Sequence, residues 1–234
     1  MTGAESPPSP VVTLFGHWIC PYSVRVSFAL AERDITHDLV EVPPTAVRPA
    51  GFVVPREFVV HSPLGQIPMI RVDQEYRADS LPILEWLEER IGPRPLHPEE
   101  PGDRAREREL MAWIDAHVFP PMIGIYYGTR PEEIAGSAAI LSRALEGLGN
   151  LLEGRRWLAG DGPSLAEATV VPLYVRLAAL VRLGFDHQLE PRVVAHMDRC
   201  ASTDGWAAVA WSEEQTDELV GRSVRRRELP ARRR

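Results

Sequence analysis

Val11-Val12-Thr13-Leu14-Phe15-Gly16-His17-Trp18-Ile19-Cys20-Pro21-Tyr22-Ser23 runs from an apolar, β-prone stretch into a cysteine followed at once by proline. Residues 11–15 read as a buried strand bounded by Gly16. Pro21 suits the first turn of a helix, where its missing N–H costs nothing. Val24, Phe28 and Ala31 give that helix an apolar stripe down to about Arg33. Cys20 is therefore expected in a strand-to-helix loop, facing unpaired backbone N–H groups and the positive end of the helix dipole. Both favour thiolate over thiol and predict a nucleophilic sulfur. The alternative is a small buried hydrophobe near a helix start. A proline that pins the helix start at the sulfur favours the reactive reading.

Downstream, residues 35–42 alternate enough for a second strand, and the Pro-rich stretch from Pro43 to Pro63 leaves room only for a short helix. Ile67 to Val72 reads as a strand, Asp73-Gln74 as a tight turn and Glu75 to Ala78 as a short returning strand. Leu81, Leu84, Leu87 and Ile91 mark one face of a helix that stops before Gly92-Pro93. The order β-α-β, short helix, β-β-α predicts a small mixed sheet with helices packed on it. From Asp103 onward the pattern is helical: residues 104–119, 131–152, 164–183, 188–201 and a short piece at 206–211. Residues 92–102 (GPRPLHPEEPG) form the natural linker. The expected organisation is a flexible 1–10, an α/β domain at 11–91, a linker at 92–102, an all-helical domain at 103–212 and a charged, disordered tail at 213–234.

Composition narrows the function. The chain has 234 residues, 44% hydrophobic and 25% charged, as in soluble globular proteins. Nothing near Met1 resembles a secretion signal and no apolar run reaches a membrane span, so a cytoplasmic protein is expected. All 26 basic residues are arginine, a bias of GC-rich coding that points to a high-GC bacterium. A net charge of −7 argues against nucleic acid as the main partner. Residues 222–234 nevertheless hold seven arginines and one glutamate. They read as a solubilising tail or, alternatively, as a contact for an acidic partner. Two cysteines and seven histidines without metal-ligand spacing predict neither a disulfide framework nor a metal site.

Cys20-Pro21-Tyr22-Ser23 resembles the glutaredoxin motif with its second cysteine replaced by Ser23. It also resembles the omega, lambda and dehydroascorbate-reductase classes of the glutathione S-transferases, which carry Cys-Pro-aromatic-Ala or -Ser. Ser62-Pro63-Leu64-Gly65-Gln66-Ile67-Pro68 is similar to that family's segment ahead of the third strand, and Asp79-Ser80 to its acidic-or-amide-Ser pair. Gly160-Asp161-Gly162-Pro163-Ser164-Leu165-Ala166-Glu167 is similar to a structural turn of its helical half; Ser164 and Glu167 also make a capping box by their spacing. The resemblance spans residues 11 to about 212 and implies a thioredoxin-like domain followed by a helical bundle, in a homodimer. It implies Cys20 as the catalytic thiol and a cis bond at Pro68. It places glutathione against Pro21, Tyr22, Gln66, the backbone of Ile67, Pro68, Asp79 and Ser80. Chemically, Ser80 at a helix N-terminus suits a carboxylate and Asp79 an ammonium. Asp79 is shorter than the usual Glu or Gln, and Gln66 replaces a frequent Lys, which keeps mycothiol open as the thiol.

The family's acceptor site lies between the domains, and the resemblance would bring Trp18, Trp113 and His117 to the second, small-molecule substrate. Phe119, Met122, Tyr126 and Tyr127 would line a broad apolar pocket there or form ordinary interdomain core. His117 could serve as a general base, or simply pack. Three functions compete. Cys20 could exchange thiols with a disulfide or electrophile. It, or a bound thiol, could instead add to an unsaturated substrate in isomerisation, cyclisation or conjugation; residues 25–30 (RVSFAL) resemble the zeta, maleylacetoacetate isomerase class. The fold could also serve as a non-catalytic binding module.

Overall fold

The computed structural model describes residues 10–228. Residues 1–9 and 229–234, which hold most of the expected flexible N-terminus and the end of the charged tail, lie outside the described residues. The first half runs β1 (Val12–Gly16), α1 (Pro21–Glu32), β2 (Asp38–Glu41), α2 (Arg56–His61), β3 (Met69–Val72), β4 (Glu75–Ala78) and α3 (Ser80–Arg90). The strands form one sheet in the order β2-β1-β3-β4. β1 is parallel to β2 and antiparallel to β3, which turns back through Asp73-Gln74 into β4. The alternation of β1 sorts its side chains by face. Val12 and Leu14 join Val26 and Leu30 of α1 and Ile83 and Leu87 of α3, while Phe15 packs with Met69 and Phe58 on the other face.

The helical half comprises α4 (Pro101–His117), α5 (Phe119–Tyr127), α6 (Pro131–Leu151), α7 (Leu165–Tyr174), α8 (Leu177–Arg182), α9 (Pro191–Cys200), α10 (Asp204–Val209) and α11 (Glu213–Glu228). Every residue of α7 is buried, so this helix is the axis of the second domain. The domains share one large core: Val24, Phe28 and Ala29 of α1 belong with Leu110, Ile114, Leu165 and Val171 of the helical half. Arg33, fully buried just past the end of α1, ties that helix to the end of α3 through Glu88 at 3.2 Å.

The structure corrects three boundaries. The segment 164–183 is two helices: Arg176 N bonds back to Leu173 O at 3.0 Å, short of helical register, and the chain restarts as α8. The linker is tied down, since Leu96 is buried and its N–H, with that of His97, donates to the Glu88 carboxylate. Pro101 and Gly102 already belong to α4. The tail at 213–228 is an ordered helix, not a disordered segment. Thr216, Leu219 and Ser223 recur at helical spacing and are buried, and Leu219 and Val220 join the large core.

The capping box stands as expected. Glu167 accepts from Ser164 N at 2.8 Å, and Ser164 Oγ accepts from Ala166 N at 3.2 Å. Ser164→Ala should destabilise the protein by about 1 kcal/mol in urea unfolding while leaving ligand affinity unchanged. A loss near zero would show that the cap contributes nothing.

Candidate functional site

The loop between β1 and α1 ends with Cys20 at the N-cap, its backbone extended at φ −82° and ψ 117°. Pro21 takes the first helical position, as its fixed φ and missing N–H favour. The sulfur lies 3.9 Å from the carbonyl oxygen of Ile67, a weak S–H contact. The Ile67–Pro68 bond is cis, and Pro68 O accepts from Asp79 N at 3.3 Å. The strand-helix loop, the segment ahead of β3 and the residue before α3 thus meet at one place.

A cavity of about 1080 Å³ opens beside the sulfur, between the two domains. Of the residues singled out by sequence, Cys20, Pro21, Tyr22, Gln66, Ile67, Pro68 and Asp79 line it. Asp79 sits at φ 73°, a conformation that non-glycine residues rarely adopt and that concentrates at functional sites. Ser80 is fully buried behind it and does not line the cavity; its hydroxyl accepts from Arg25 Nη1 at 3.1 Å.

The residues expected around the second substrate fall elsewhere. Trp18 packs edge-on against Trp211 with centroids 5.3 Å apart. Trp113 stacks on His117, whose Nδ1 is 2.9 Å from Trp113 O, and covers Gly147. None of the three lines the cavity; for Trp113 and His117 the reason is that the face of α4 that carries them turns toward α6. Phe119 and Met122 are core, whereas Ile123, Tyr126 and Tyr127 line the cavity. Burial pushes the phenols of Tyr22, Tyr126 and Tyr127 up from their ordinary value, and the nearby Cys20 sulfur acts in the same direction.

Two buried arginines hold the site in place. Arg25 spans from α1 to Ser80 and to Asp115 of α4, whose Oδ1 is 2.7 Å away, and its guanidinium lies 3.8 Å above the Phe119 ring. Arg176, between α7 and α8, is fully buried and donates to Ile19 O at 3.0 Å and to Pro172 O at 2.7 Å. Its guanidinium faces Trp211 at 4.5 Å. No ion pair to a carboxylate is made by Arg176 among the described residues. Burial lowers its pKa to about 10, against the opposing pull of Tyr126 and Cys20. It fixes the carbonyls just before Cys20 and adds positive charge behind the sulfur. Sequence reasoning had no signal for it, since the Trp18 and Ile19 carbonyls it holds beside Cys20 lie more than 150 residues away in the chain.

The last wall of the cavity is α11, which contributes Leu219, Arg222, Ser223, Arg225 and Arg226. Among the described residues no three His, Cys, Asp or Glu side chains are grouped to hold a metal ion. No helix among them is long and apolar enough to cross a membrane.

Comparison with known proteins agrees with this geometry. Residues 19–90 match the model of the glutathione S-transferase N-terminal domain and residues 131–199 that of the C-terminal domain, together well over half of the chain. The chain is 27% identical to a maleylacetoacetate isomerase of Pseudomonas aeruginosa over 81% of its own length and 91% of the relative's. It is 26% identical to mouse glutathione S-transferase omega-1, covering 75% and 72% of the two chains. A rice glutathione S-transferase, solved in complex with glutathione, superposes with a TM-score of 0.80 at 20% identity, over 96% of this chain and all of the other. The sheet domain with its thiol at a helix start, the helical domain behind it and these matches agree: the chain is an enzyme of the glutathione transferase type and belongs to the glutathione S-transferase superfamily.

Proposed function

We propose that the protein catalyses glutathione-dependent thiol transfer through Cys20. The observation that carries this reading is the placement of the sulfur, at the start of α1, on the wall of the cavity and against Ile67 and the cis-Pro68. The other cysteine, Cys200, is buried in α9 away from the cavity, and its burial pushes that thiol well up. Cys20 therefore works without a resolving partner.

In the forward step the Cys20 thiolate attacks the glutathionyl sulfur of a mixed disulfide, and the substrate leaves as a thiolate. A second glutathione thiolate then attacks the Cys20–glutathione disulfide, releasing oxidised glutathione and restoring Cys20. Electrons are conserved: each mixed disulfide reduced oxidises one further glutathione thiol, which leaves joined to the glutathionyl group as oxidised glutathione. Glutathione, rather than mycothiol, is the thiol that the relatives support. Asp79, Gln66 and the Ile67 backbone hold it, with Asp79 taking the α-ammonium and Ser80 positioned through Arg25. Asp79→Asn should weaken glutathione binding about tenfold or more in isothermal titration, since a hydrogen bond to a charged group is worth ~1.5–3 kcal/mol. An unchanged affinity would remove Asp79 from the site.

The direct test supplies bis(2-hydroxyethyl) disulfide and glutathione in a coupled assay, with release of oxidised glutathione as the readout. Turnover that depends on Cys20 supports the reading. A second reading draws on the maleylacetoacetate isomerase relative: glutathione bound in the cavity adds to an unsaturated substrate. Activity on a cis-trans isomerisable enone acid, with no disulfide reduction, would favour it.

A further inference from the structure

The cavity is unevenly charged. Arg222, Arg225 and Arg226 line it from α11, and Arg48 lines it from the loop that faces them. Two carboxylates oppose them: Asp115, already held by Arg25 at 2.7 Å, and Asp79, on the sheet-domain side. Arg222 is neutralised by Glu218 through Nε at 2.8 Å and through Nη2, and its Nη1 reaches Val47 O. Arg48, Arg225 and Arg226 form no ion pair among the described residues. The buried Nε of Arg226 has no hydrogen-bond partner, and its guanidinium lies 5.1 Å from the centroid of the Tyr127 ring. Unpaired guanidinium groups on the wall of a partly enclosed cavity raise the local concentration of anions and offer them paired donors.

We propose that this wall is an anion subsite for the second substrate, which is a small organic acid: an apolar or unsaturated body with a carboxylate, or a like oxyanion, received by Arg225 and Arg226. This rests on the reading of the cavity as the glutathione-dependent site and adds the class of its acceptor. The apolar body fits Ile123, Tyr126 and Leu219, which line the same cavity as the arginines. The arginines belong to the helical domain, whereas the residues assigned to glutathione belong to the sheet domain, so one cavity presents two separate polar ends. At about 1080 Å³ it lies at the upper end of small-molecule sites, with room for both occupants. The competing explanation is that cations simply complement the negative end of the α11 dipole. In that case ligand charge is irrelevant to binding.

The test uses two fluorescent probes that share a skeleton, 8-anilinonaphthalene-1-sulfonate and the uncharged N-phenyl-1-naphthylamine, titrated into the full chain. Wild type should bind the sulfonate about tenfold or more tightly than the neutral probe, with affinity falling as salt rises. Arg225→Gln/Arg226→Gln should remove most of that preference, leave the neutral probe nearly unchanged and leave glutathione affinity unchanged by titration. Arg48→Gln, on the facing loop, should act in the same direction, and keeps the test open should the double variant fail to fold by circular dichroism. Equal affinity for the two probes in wild type overturns the proposal, as does a preference that survives these substitutions. A matching loss of glutathione affinity also overturns it, because the arginines would then serve the tripeptide's own carboxylates. Probe binding needs no turnover, so Cys20→Ala should keep the full preference. Failure of the thiol-transfer reading is thereby separated from failure of this one.

Discussion

Replacing Cys20 by alanine is expected to lower glutathione-dependent disulfide reduction by more than about a thousandfold, the scale on which loss of an activated nucleophile is felt. The sulfur is the only cysteine on the cavity wall among the described residues, and Cys200 is sealed in the helical core, so no thiol can take its place. Glutathione should bind the variant nearly as well as wild type, because the contacts assigned to the tripeptide come from Asp79, Gln66 and Ile67. Cys20→Ser should lose reduction equally, since a hydroxyl forms no disulfide. It could still assist addition by hydrogen-bonding a bound thiolate. Iodoacetamide followed by mass spectrometry gives an independent check: in the folded protein Cys20 should be alkylated and Cys200 spared. A Cys20→Ala protein that keeps a tenth or more of the activity, or a Cys20 that resists alkylation, would return this residue to a packing role.

The largest expected effect on stability lies far from that sulfur. Glu167 is fully buried at the start of α7, and four groups depend on it. Its Oε1 accepts from Leu158 N at 2.7 Å and lies 3.0 Å from His196 Nε2. Its Oε2 accepts from Ser164 N at 2.8 Å and from the Ser164 hydroxyl at 2.6 Å. His196 in turn meets the Tyr174 hydroxyl through Nδ1 at 2.8 Å. Glu167→Ala strands two backbone donors and an imidazole where water cannot reach them, and should destabilise the protein by about 3–5 kcal/mol. Urea unfolding would check this against the much smaller loss expected for Ser164→Ala. Equal losses would mean that the carboxylate acts as no more than a helix cap.

These two sites differ in how far the sequence reveals them. The sheet half is legible because its signals are local: the apolar, β-prone run at 11–15, the Cys20-Pro21 junction, the turn at Asp73-Gln74 and the stripe from Leu81 to Ile91 each act within a few residues. The capping box at Ser164 and Glu167 is legible for the same reason. The four-way role of Glu167 is not, because Leu158 and His196 come to it only through tertiary packing. Arg25 and Arg176 carry no local signal of their roles, which rest on Asp115, Ser80 and the Ile19 carbonyl, distant in the chain. α11 did carry a signal, Thr216, Leu219, Val220 and Ser223 on one face. With a single strongly apolar pair among arginines and glutamates, it was outweighed by composition. The residues around the acceptor were misplaced for a geometric reason: Trp113 and His117 share one face of α4, and that face turns toward Gly147 rather than the cavity.

The first helix has a consequence for how the molecule lives and breaks. One side of it, Val26 and Leu30, completes the sheet's core, and the other side, Val24, Phe28 and Ala29, is part of the core of the helical half. The backbone of Gly205 in α10 sits directly on Phe28 and Glu32, with its N–H on the Glu32 carboxylate at 2.6 Å. A fragment ending at the linker would turn one face of its only long helix before the β3–β4 hairpin out into water, and would leave the Arg25 cation without its acid. The boundary that divides the chain into two folds is therefore no line of weakness. The halves are expected to melt together in one transition and to refold only as a pair, and the reactive thiol exists only while both are intact.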